Sequence, residues 1–441
     1  MFSKENLRNL VLPLLLEQAL IVAVGMMDTV MVSSCGESAV SGVSLVDSIN
    51  VLIIQVFSAL ATGGTVVCSQ YLGKKDLSSG QRAAHQLFFV VLSSSLLCMI
   101  PSLFFRRTIL EIVFGEIESD VMASSQSYFL MTALSFPFLS MYNAGAALLR
   151  SMGRSSATLK ISAVSNVINI LGNAITIYLL NMGAAGAGLA TLISRIAASV
   201  LVYFPLRRGH GPLHYPDLRR FAHDPALNRK ILAVALPSGL ENGLFQFGKL
   251  ILVRLIATFG TASIAANAVG NTLATIQCLP GMALSLAMIT VVGQCVGAGA
   301  YDQARSYSWR LMKLTYMIQG SLNIVMLLMN GFICMPFHLT PETEILARQV
   351  VALHGSGALL IWPLSFVLPN ALRAAGDARF TMTVSAISMM LCRVVLGYVF
   401  ASNLGLGLIG VWIAMQVDWV IRIVAFLIRF HGNTWKTKAL V

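Results

Sequence analysis

Long apolar stretches constrain the fold of this 441-residue chain more than any other feature. About twelve of them are long enough to cross a bilayer as helices, which takes roughly 20 residues each. We predict spans near 10–32, 45–67, 86–105, 122–146, 160–181, 183–204, 231–257, 268–292, 311–334, 350–370, 380–402 and 407–430. Hydrophobic residues make up 56% of the chain and charged residues only 11%. The sequence therefore predicts an all-α polytopic membrane protein and excludes a soluble domain.

The second half of the chain repeats the first half at an offset of 224 residues. The matched pairs are Pro13 with Pro237, Glu17 with Glu241, and Gly36 with Gly260. Such an internal repeat predicts two homologous six-helix lobes in tandem. We place the N-lobe at 1–206, a cytoplasmic inter-lobe linker rich in Pro, Gly, His and charge at 207–230, and the C-lobe at 231–441.

The positive charge of the chain follows the membrane topology. The net charge is +12, and most of the 30 Lys and Arg residues fall in the even-numbered connections and the termini. This distribution is typical of the positive-inside rule and predicts a multi-pass protein of the cell membrane with both termini in the cytoplasm. We therefore expect the lipid bilayer, and no nucleic acid, as the partner of the basic residues.

The sequence offers no pattern for a bound metal, a nucleotide or a cofactor. The seven cysteines lack a paired spacing, and no two histidines form a metal-ligand pair at helical spacing. The string GLFQFGK at 243–249 matches the start of a P-loop but lies inside an apolar helix, where the backbone N–H groups are already used. We predict no ATP site, no cofactor and no enzyme, because no polar catalytic cluster is visible either.

Two carboxylates, Glu17 and Asp28, lie inside the first apolar span. An ionised side chain near the bilayer centre costs ~2.5–3.5 kcal/mol, so each marks a candidate functional site. Eleven residues separate them, which puts them on nearly the same helix face and roughly 16 Å apart. For Asp28 the alternative is a structural hydrogen bond. Glu17 and its repeat partner Glu241 each follow a proline by four residues, so helix entry and cargo binding are both open.

Other polar residues inside the spans have two interpretations each. Asp47 lies in the second span near Asn50, and its repeat partner is Asn271. These side chains either attract cationic cargo or make interhelical hydrogen bonds. Met26 and Met27 either face lipid and core or line an adaptable binding pocket.

Charged residues near the middle of the C-lobe spans predict buried ion pairs. Arg393 and Asp418 both fall near mid-span, and we expect them to pair. Lys249 would need a similar partner, whereas Arg254 can extend its charge to the membrane surface.

Several strings together resemble the multidrug and toxic compound extrusion (MATE) family. They are MMDTVMV at 26–32, QYLGKKD at 70–76, LLRSMGRSSATLK at 148–160, NILGN at 169–173 and GAAGAGLATLISR at 183–195. The resemblance covers nearly the whole chain and implies about twelve transmembrane helices in two lobes around a central V-shaped cleft. It also implies an ion-gradient-driven antiporter that exports small organic, often cationic, drug-like compounds by alternating access. The coupling ion would be H⁺ or Na⁺, and we expect a functional monomer.

The resemblance also implies an ion site in the N-lobe. Carried over by motif, its residues are Asp28, Asn169, Asn173 and Thr191, with Na⁺ at the first three as the one metal to consider. Asn173 departs from the family pattern, which often has Asp there. Shifted by 224 residues, the same positions hold Leu252, Arg393, Gly397 and Met415. The oxygen ligands are lost and a positive charge appears, so we expect no cation at that place in the C-lobe.

Two hypotheses for the cargo follow. The first is the drug-like organic cation, for which the cleft candidates are Glu17, Met26, Met27, Asp47, Asn50, Glu241 and Asn271. The alternative is a lipid-linked precursor flippase of a related superfamily, which would favour a basic cleft over Asp28. A channel would need polar stripes on several helices, and only the first, second and fifth spans offer them.

Overall fold

A computed structural model describes residues 2–208, 211–215 and 223–441, and every secondary-structure element in these ranges is helical. The first half holds α1 Lys4–Ser33, α2 Glu37–Lys74, α3 Leu77–Phe104, α4 Arg106–Phe114, α5 Ser119–Leu134, α6 Phe136–Ser151, α7 Ser155–Asn173 and α8 Gly183–Arg208. The rest holds α9 Pro225–Ala257, α10 Thr261–Gly297, α11 Tyr301–Leu328, α12 Asn330–Cys334, α13 Pro341–Leu360, α14 Trp362–Phe366, α15 Pro369–Ala374, α16 Ala378–Ser388, α17 Leu396–Tyr398 and α18 Gly407–His431.

The helices agree with the predicted spans. Among the described residues, nine helices are long and apolar enough to cross a membrane, and a pair bent by 67°, α13 with α14–α15, makes ten. The remaining two predicted spans correspond to α9 and to α5 with α6, which the chain breaks at Ser135. The predicted all-α membrane fold is confirmed.

Several spans contain wider, π-helical turns. Ala174–Leu179 continues α7, Met389–Val395 continues α16, and Val399–Asn403 continues α17. π-Helical turns are rare and often occur at functional sites. Asn173 directly precedes the first of these segments, and Arg393 lies within the second.

The chain forms two compact units, Phe2–Leu236 and Pro237–Val441, which we call the N unit and the C unit. The division falls inside α9, so the last residues of the predicted linker 207–230 are helical. Residues 209, 210 and 216–222 of that linker lie outside the described ranges. Within the N unit, Phe57 of α2 packs edge-on against Phe136 of α6 in a buried apolar cluster.

Matched glycines give the two halves the same turns. Gly36 and Gly260 precede α2 and α10 with φ of 93° and 91°, a region that favours glycine because it has no Cβ. Gly183 and Gly407 begin α8 and α18 with φ of 57° and 55°. The 224-residue repeat therefore extends from residue type to backbone conformation.

Gly410→Ala is expected to destabilise the protein. A Cβ at Gly410 on α18 would lie 2.7 Å from the Phe400 carbonyl carbon and the Ala401 nitrogen, backbone atoms of the π-helical segment against which it packs. Overpacking of this kind costs about 1–3 kcal/mol. The control is Gly25→Ala on α1, where nothing lies within 4 Å and alanine favours the helix by ~0.5–1 kcal/mol. Thermal unfolding in detergent measures both, and equal midpoints would contradict the close packing.

Candidate functional site

The Asp28 carboxylate on α1 is held by two amides from α7. Asn173 Nδ2 donates to Asp28 Oδ1 at 2.7 Å. With its amide nitrogen turned toward the carboxylate, Asn169 donates to both Asp28 oxygens, at 2.8 and 3.2 Å. The two asparagines are four residues apart, one helical turn, so α7 presents both from one face. Three of the four predicted ion-site residues therefore meet.

The fourth predicted residue, Thr191, is bonded within its own helix. Its hydroxyl donates to the Ala187 carbonyl at 2.9 Å, one turn earlier on α8. That hydroxyl proton is therefore not directed at the Asp28 carboxylate. The Thr191 oxygen keeps its capacity to accept a hydrogen bond or to coordinate an ion.

The amides leave one acceptor unused. Asn173 Oδ1 is buried and has no hydrogen-bond partner. The groups that Asn169 and Asn173 present to Asp28 are N–H donors, which stabilise the ionised carboxylate. A protonated Asp28 would instead need an acceptor, which either amide can supply by turning its oxygen toward the carboxyl group.

A second carboxylate and an arginine belong to the same electrostatic environment. Asp47 on α2 accepts hydrogen bonds from Asn50 Nδ2 at 3.2 Å and from Tyr128 Oη at 3.0 Å. Asp47 and Arg195 both lie within electrostatic range of Asp28. Arg195 on α8 donates to Ser135 Oγ at 2.7 Å, at the break between α5 and α6. Of the two interpretations of Asp47, the structure contains the interhelical hydrogen bond.

The sequence interpretation missed Tyr128 and Arg195. Arg195 had a usable signal, because an arginine inside an apolar span needs a polar or anionic environment. Tyr128 had none, since one tyrosine in a span is as common in a packed core.

Glu17 is buried among hydroxyl groups. Thr158 Oγ1 on α7 donates to Glu17 Oε2 at 2.8 Å, and Tyr142 Oη on α6 donates to Oε1 at 3.4 Å. Glu17 is 3% exposed. These partners belong to other helices and are not the backbone N–H groups at the start of α1 that a helix-entry role would use.

Its repeat partner Glu241 forms an ion pair. Arg373 Nη2 on α15 donates to both oxygens of Glu241, each at 2.7 Å. Arg373 also donates from Nη1 to Asn370 Oδ1 at 2.8 Å. Equivalent glutamates in the two halves are therefore stabilised differently, by neutral hydroxyls in the N unit and by a guanidinium in the C unit.

The remaining cleft candidates differ in exposure. Met26 and Met27 are 52% and 45% exposed, whereas Asn50 is buried. Asn271 is exposed, and its amide nitrogen donates to the Asn267 carbonyl at 2.9 Å. Exposure in a membrane protein includes contact with lipid, so Met26, Met27 and Asn271 are available to either lipid or cargo, and Asn50 is not.

The predicted ion pair between Arg393 and Asp418 is wrong. Asp418 accepts instead from Arg422 at 2.9 Å, one turn later on the same helix, and from Ser388. Arg422 reaches Asp418 because residues four apart lie on one helix face. Arg393 lies over the Phe245 ring, 4.9 Å from its centroid, and Lys249 lies 5.3 Å from the same ring. Within the described ranges, no acidic residue forms an ion pair with Arg393 or Lys249.

A comparison with models of known protein families shows to which family the chain belongs. A family model described as MatE matches residues 13–175 and 237–399. The chain belongs to the MATE family. The two matched segments differ by the 224 residues of the internal repeat, so each half carries one copy of the family unit. MATE proteins are transporters, so this MATE chain is a multi-pass membrane transporter and not an enzyme.

Relatives extend over nearly the whole MATE chain. The uncharacterized transporter YisQ of Bacillus subtilis is 25% identical, covering 99% of this chain and 96% of the relative. The probable multidrug resistance protein NorM of Thermotoga maritima is 23% identical, covering 99% and 94%. Multidrug and toxin extrusion protein 1 of Oryctolagus cuniculus is 23% identical, covering 99% of this chain and 76% of the relative.

Solved structures confirm the MATE fold. A crystal structure of MATE in the bent conformation matches with a TM-score of 0.90 at 20% identity, covering 98% of this chain and 96% of the other. The outward-facing conformation of a multidrug resistance MATE family transporter of the MOP superfamily matches with a TM-score of 0.90 at 19% identity, covering 98% and 96%. The predicted twelve-helix fold in two lobes is confirmed.

Proposed function

We propose that this MATE chain is an ion-gradient-driven antiporter that exports small organic, drug-like compounds, often cations, by alternating access. Support for export comes from the names of its relatives, which include a probable multidrug resistance protein and a multidrug and toxin extrusion protein. The observation that carries the coupling proposal is the Asp28 carboxylate, which two amides hold inside an apolar helix. No described basic residue forms an ion pair with Asp28, so its charge remains available for a proton or a cation.

Proton coupling would use the two amides as a switch. Ionised Asp28 accepts from Asn169 and Asn173, which fixes α1 against α7. Protonation turns one carboxyl oxygen into a donor, and at least one amide must then rotate to present its oxygen. Protonation also replaces the charge-assisted hydrogen bonds between α1 and α7 by weaker neutral ones, which frees α1 to repack on α7. This step couples the charge of Asp28 to the conformation of the N unit.

Sodium coupling would use the same residues with the amides reversed. Na⁺ prefers oxygen ligands, and Asp28, Asn169 and Asn173 can supply carboxylate and amide oxygens once the nitrogens turn away. The buried Asn173 Oδ1 has no partner, so turning it toward the ion breaks no hydrogen bond that this oxygen accepts. With a single carboxylate, the site suits a monovalent ion better than a divalent one.

The proposal also includes the membrane topology of the chain. We place the protein in the cell membrane with both termini in the cytoplasm, since most Lys and Arg residues lie in the connections on that side. The lobes are taken as 1–206 and 231–441, joined by a cytoplasmic linker at 207–230, and the transporter is taken as a functional monomer.

Efflux from proteoliposomes tests the proposal. A fluorescent organic cation is loaded into vesicles that contain the purified protein, and a proton or sodium gradient is imposed separately. We expect efflux above that of protein-free vesicles under one gradient, which identifies the coupling ion. Cation efflux that is equal with and without a gradient would contradict antiport.

A flippase for lipid-linked precursors is the second candidate, because the C unit holds two basic side chains, Lys249 and Arg393, with no described acidic ion-pair partner. A flippase would give a different result in the proteoliposome assay. A labelled polyprenyl-phosphate lipid would exchange between leaflets in the same vesicles, while no organic cation would move under either gradient.

A further inference from the structure

The C unit contains a small cavity at the place that corresponds by the repeat to the N-unit ion site. Its volume is about 60 Å³, several times the roughly 10–15 Å³ that one water needs. Leu252, Arg393 and Met415 line it, and these are the repeat counterparts of Asp28, Asn169 and Thr191. The C unit therefore places a basic side chain and a cavity at positions equivalent to those where the N unit places an acidic residue and its amide partners.

Two basic side chains line this cavity, and its lining contains no acid. Lys249 and Arg393 come from α9 and from the π-helical segment Met389–Val395, and both lie over Phe245. Arg393 is 8% exposed, and its Nε and Nη1 are buried without a hydrogen-bond partner. A buried guanidinium that lacks acceptors is strongly disfavoured in an apolar span, so it marks a place where an acceptor belongs.

The nearby acidic residue does not balance this charge. Asp418 lies within electrostatic range of Arg393, but it forms its ion pair with Arg422: its Oδ1 accepts from Arg422 and Ser388, and its buried Oδ2 has no hydrogen-bond partner. Three basic side chains, Arg393, Arg422 and Lys249, thus surround the Phe245 ring, and Asp418 is the carboxylate that lies near the two arginines. Glu241, another carboxylate inside the C-unit spans, already forms an ion pair with Arg373. Even a shared Asp418 leaves an excess of two positive charges.

Two asparagines beside the two cations also line the cavity. Asn271 Nδ2 donates to the Asn267 carbonyl, so Asn271 keeps its amide oxygen as an acceptor, whereas Asn267 offers a donor. Asn267 Oδ1 accepts from Trp412 Nε1 at 3.2 Å, which leaves the Asn267 amide nitrogen to act as a donor toward the cavity that both residues line. The cavity wall otherwise consists mainly of apolar side chains. An anion that enters it would meet a guanidinium, an ammonium and an amide N–H, and hydrogen bonds from charged donors are roughly twice as strong as those between neutral groups.

We infer that this cavity binds the carboxylate group of a small organic anion. A carboxylate matches the planar guanidinium of Arg393, and the ammonium of Lys249 adds a second charge. The cavity size fits an anion of the size of acetate, or the acidic end of a larger molecule. This site is separate from the proposed coupling at Asp28, so anion binding does not depend on which ion drives export, or on whether export occurs.

Acetate binding to the full-length protein tests the inference. The protein is placed in nanodiscs of zwitterionic lipid, and its unfolding midpoint and calorimetric acetate binding are measured in sodium acetate and in sodium chloride at equal ionic strength. We expect acetate to raise the midpoint more than chloride does. Lys249→Gln and Arg393→Gln should each weaken acetate binding by about tenfold or more, because each removes a charged hydrogen-bond donor.

Arg254→Gln is the matched control. Arg254 lies five residues after Lys249 on the same helix α9 but is exposed, so its loss should leave acetate binding unchanged. A second readout guards against misfolding. Without acetate, Arg393→Met should unfold no earlier than the wild type, because it removes a buried charge that lacks a bound partner.

Three results would overturn the inference. The first is an equal effect of acetate and chloride on the unfolding midpoint, and the second is acetate binding that persists in both glutamine variants. The third is strong destabilisation of the Arg393→Met variant without acetate, which is expected if Arg393 needs Asp418. The phosphate of a lipid headgroup could also fill the cavity, and nanodiscs that contain phosphatidylglycerol test this. If that lipid blocks acetate binding, a lipid phosphate occupies the cavity and the assignment to a soluble carboxylate fails.

Discussion

Asp28→Asn should abolish gradient-driven export while leaving the protein folded. Asparagine keeps the shape of the side chain and can still bond to Asn169 and Asn173, but it can neither ionise nor exchange a proton for a cation. Loss of the coupling group removes the link between gradient and conformation, and couplings of this kind typically amount to 5–150-fold. We therefore expect the driven efflux rate in proteoliposomes to fall by about two orders of magnitude, toward that of protein-free vesicles.

Glu17→Gln is the matched control for this experiment. Glu17 lies on the same helix, is buried, and bonds only to the hydroxyls of Thr158 and Tyr142 among the contacts described above. A glutamine can accept from one hydroxyl with its oxygen and donate to the other with its amide nitrogen, so driven efflux should persist. If Glu17→Gln abolishes efflux and Asp28→Asn does not, the coupling group is Glu17. If neither variant loses efflux, Asp28 has the structural role that its hydrogen bonds also permit.

Counterflow separates coupling from cargo binding. Exchange of labelled for unlabelled cargo across the membrane needs no gradient, only binding and the conformational cycle. An Asp28→Asn protein that still exchanges cargo but cannot use the gradient has lost the coupling step alone. Loss of both activities would place Asp28 in the cargo site as well.

The fold and the core of the site could be predicted from the sequence because they depend on long regular patterns. Apolar runs set the helices, and the 224-residue repeat set the two units. Asp28 stood out because a carboxylate inside such a run is costly. Asn169 and Asn173 were named through the resemblance to the MATE family, and their four-residue spacing lets both donate hydrogen bonds to Asp28.

Side-chain partners could not be predicted because they depend on packing between helices far apart in sequence. Arg393 and Asp418 both lie near mid-span, yet Arg422, four residues from Asp418, makes the ion pair. Glu241 is 132 residues from Arg373, and no periodicity links them. The π-helical turns around Arg393 could not be predicted either, because they depend on packing between helices and the hydrophobic periodicity of the sequence does not indicate them.

The two halves differ in how they stabilise their buried carboxylates. In the N unit, amides and hydroxyls hold Asp28 and Glu17, and neutral donors of this kind can rearrange when a proton or cation arrives. In the C unit, guanidinium groups hold Glu241 and Asp418 in ion pairs. Breaking a buried ion pair is expensive, so these pairs suit a fixed element. We expect the N unit to respond to the gradient and the C-unit pairs to remain intact through the cycle.

Arg422→Met should therefore destabilise the protein severely. Asp418 and Arg422 are 0% and 2% exposed in their side chains, and removal of the arginine leaves a buried carboxylate without its cation. The expected loss is about 3–5 kcal/mol. The double variant Asp418→Leu with Arg422→Met should recover most of it, because the substitution at Asp418 removes the carboxylate that the loss of Arg422 leaves without its ion-pair partner. The unfolding midpoints of the wild type, the Arg422→Met variant and the double variant in detergent measure these changes.

The exposed pair of Arg107 and Glu111 on α4 is the control for burial. It has the same four-residue spacing and a distance of 2.7 Å, but its side chains are 72% and 46% exposed. Water replaces the lost partner there, so Arg107→Met should cost no more than about 0.2–1 kcal/mol. Similar losses for Arg107→Met and Arg422→Met would mean that burial does not set the strength of the C-unit pair. A double variant as unstable as Arg422→Met would show that Asp418 and Arg422 act separately, because only an ion pair predicts recovery when both charges are removed.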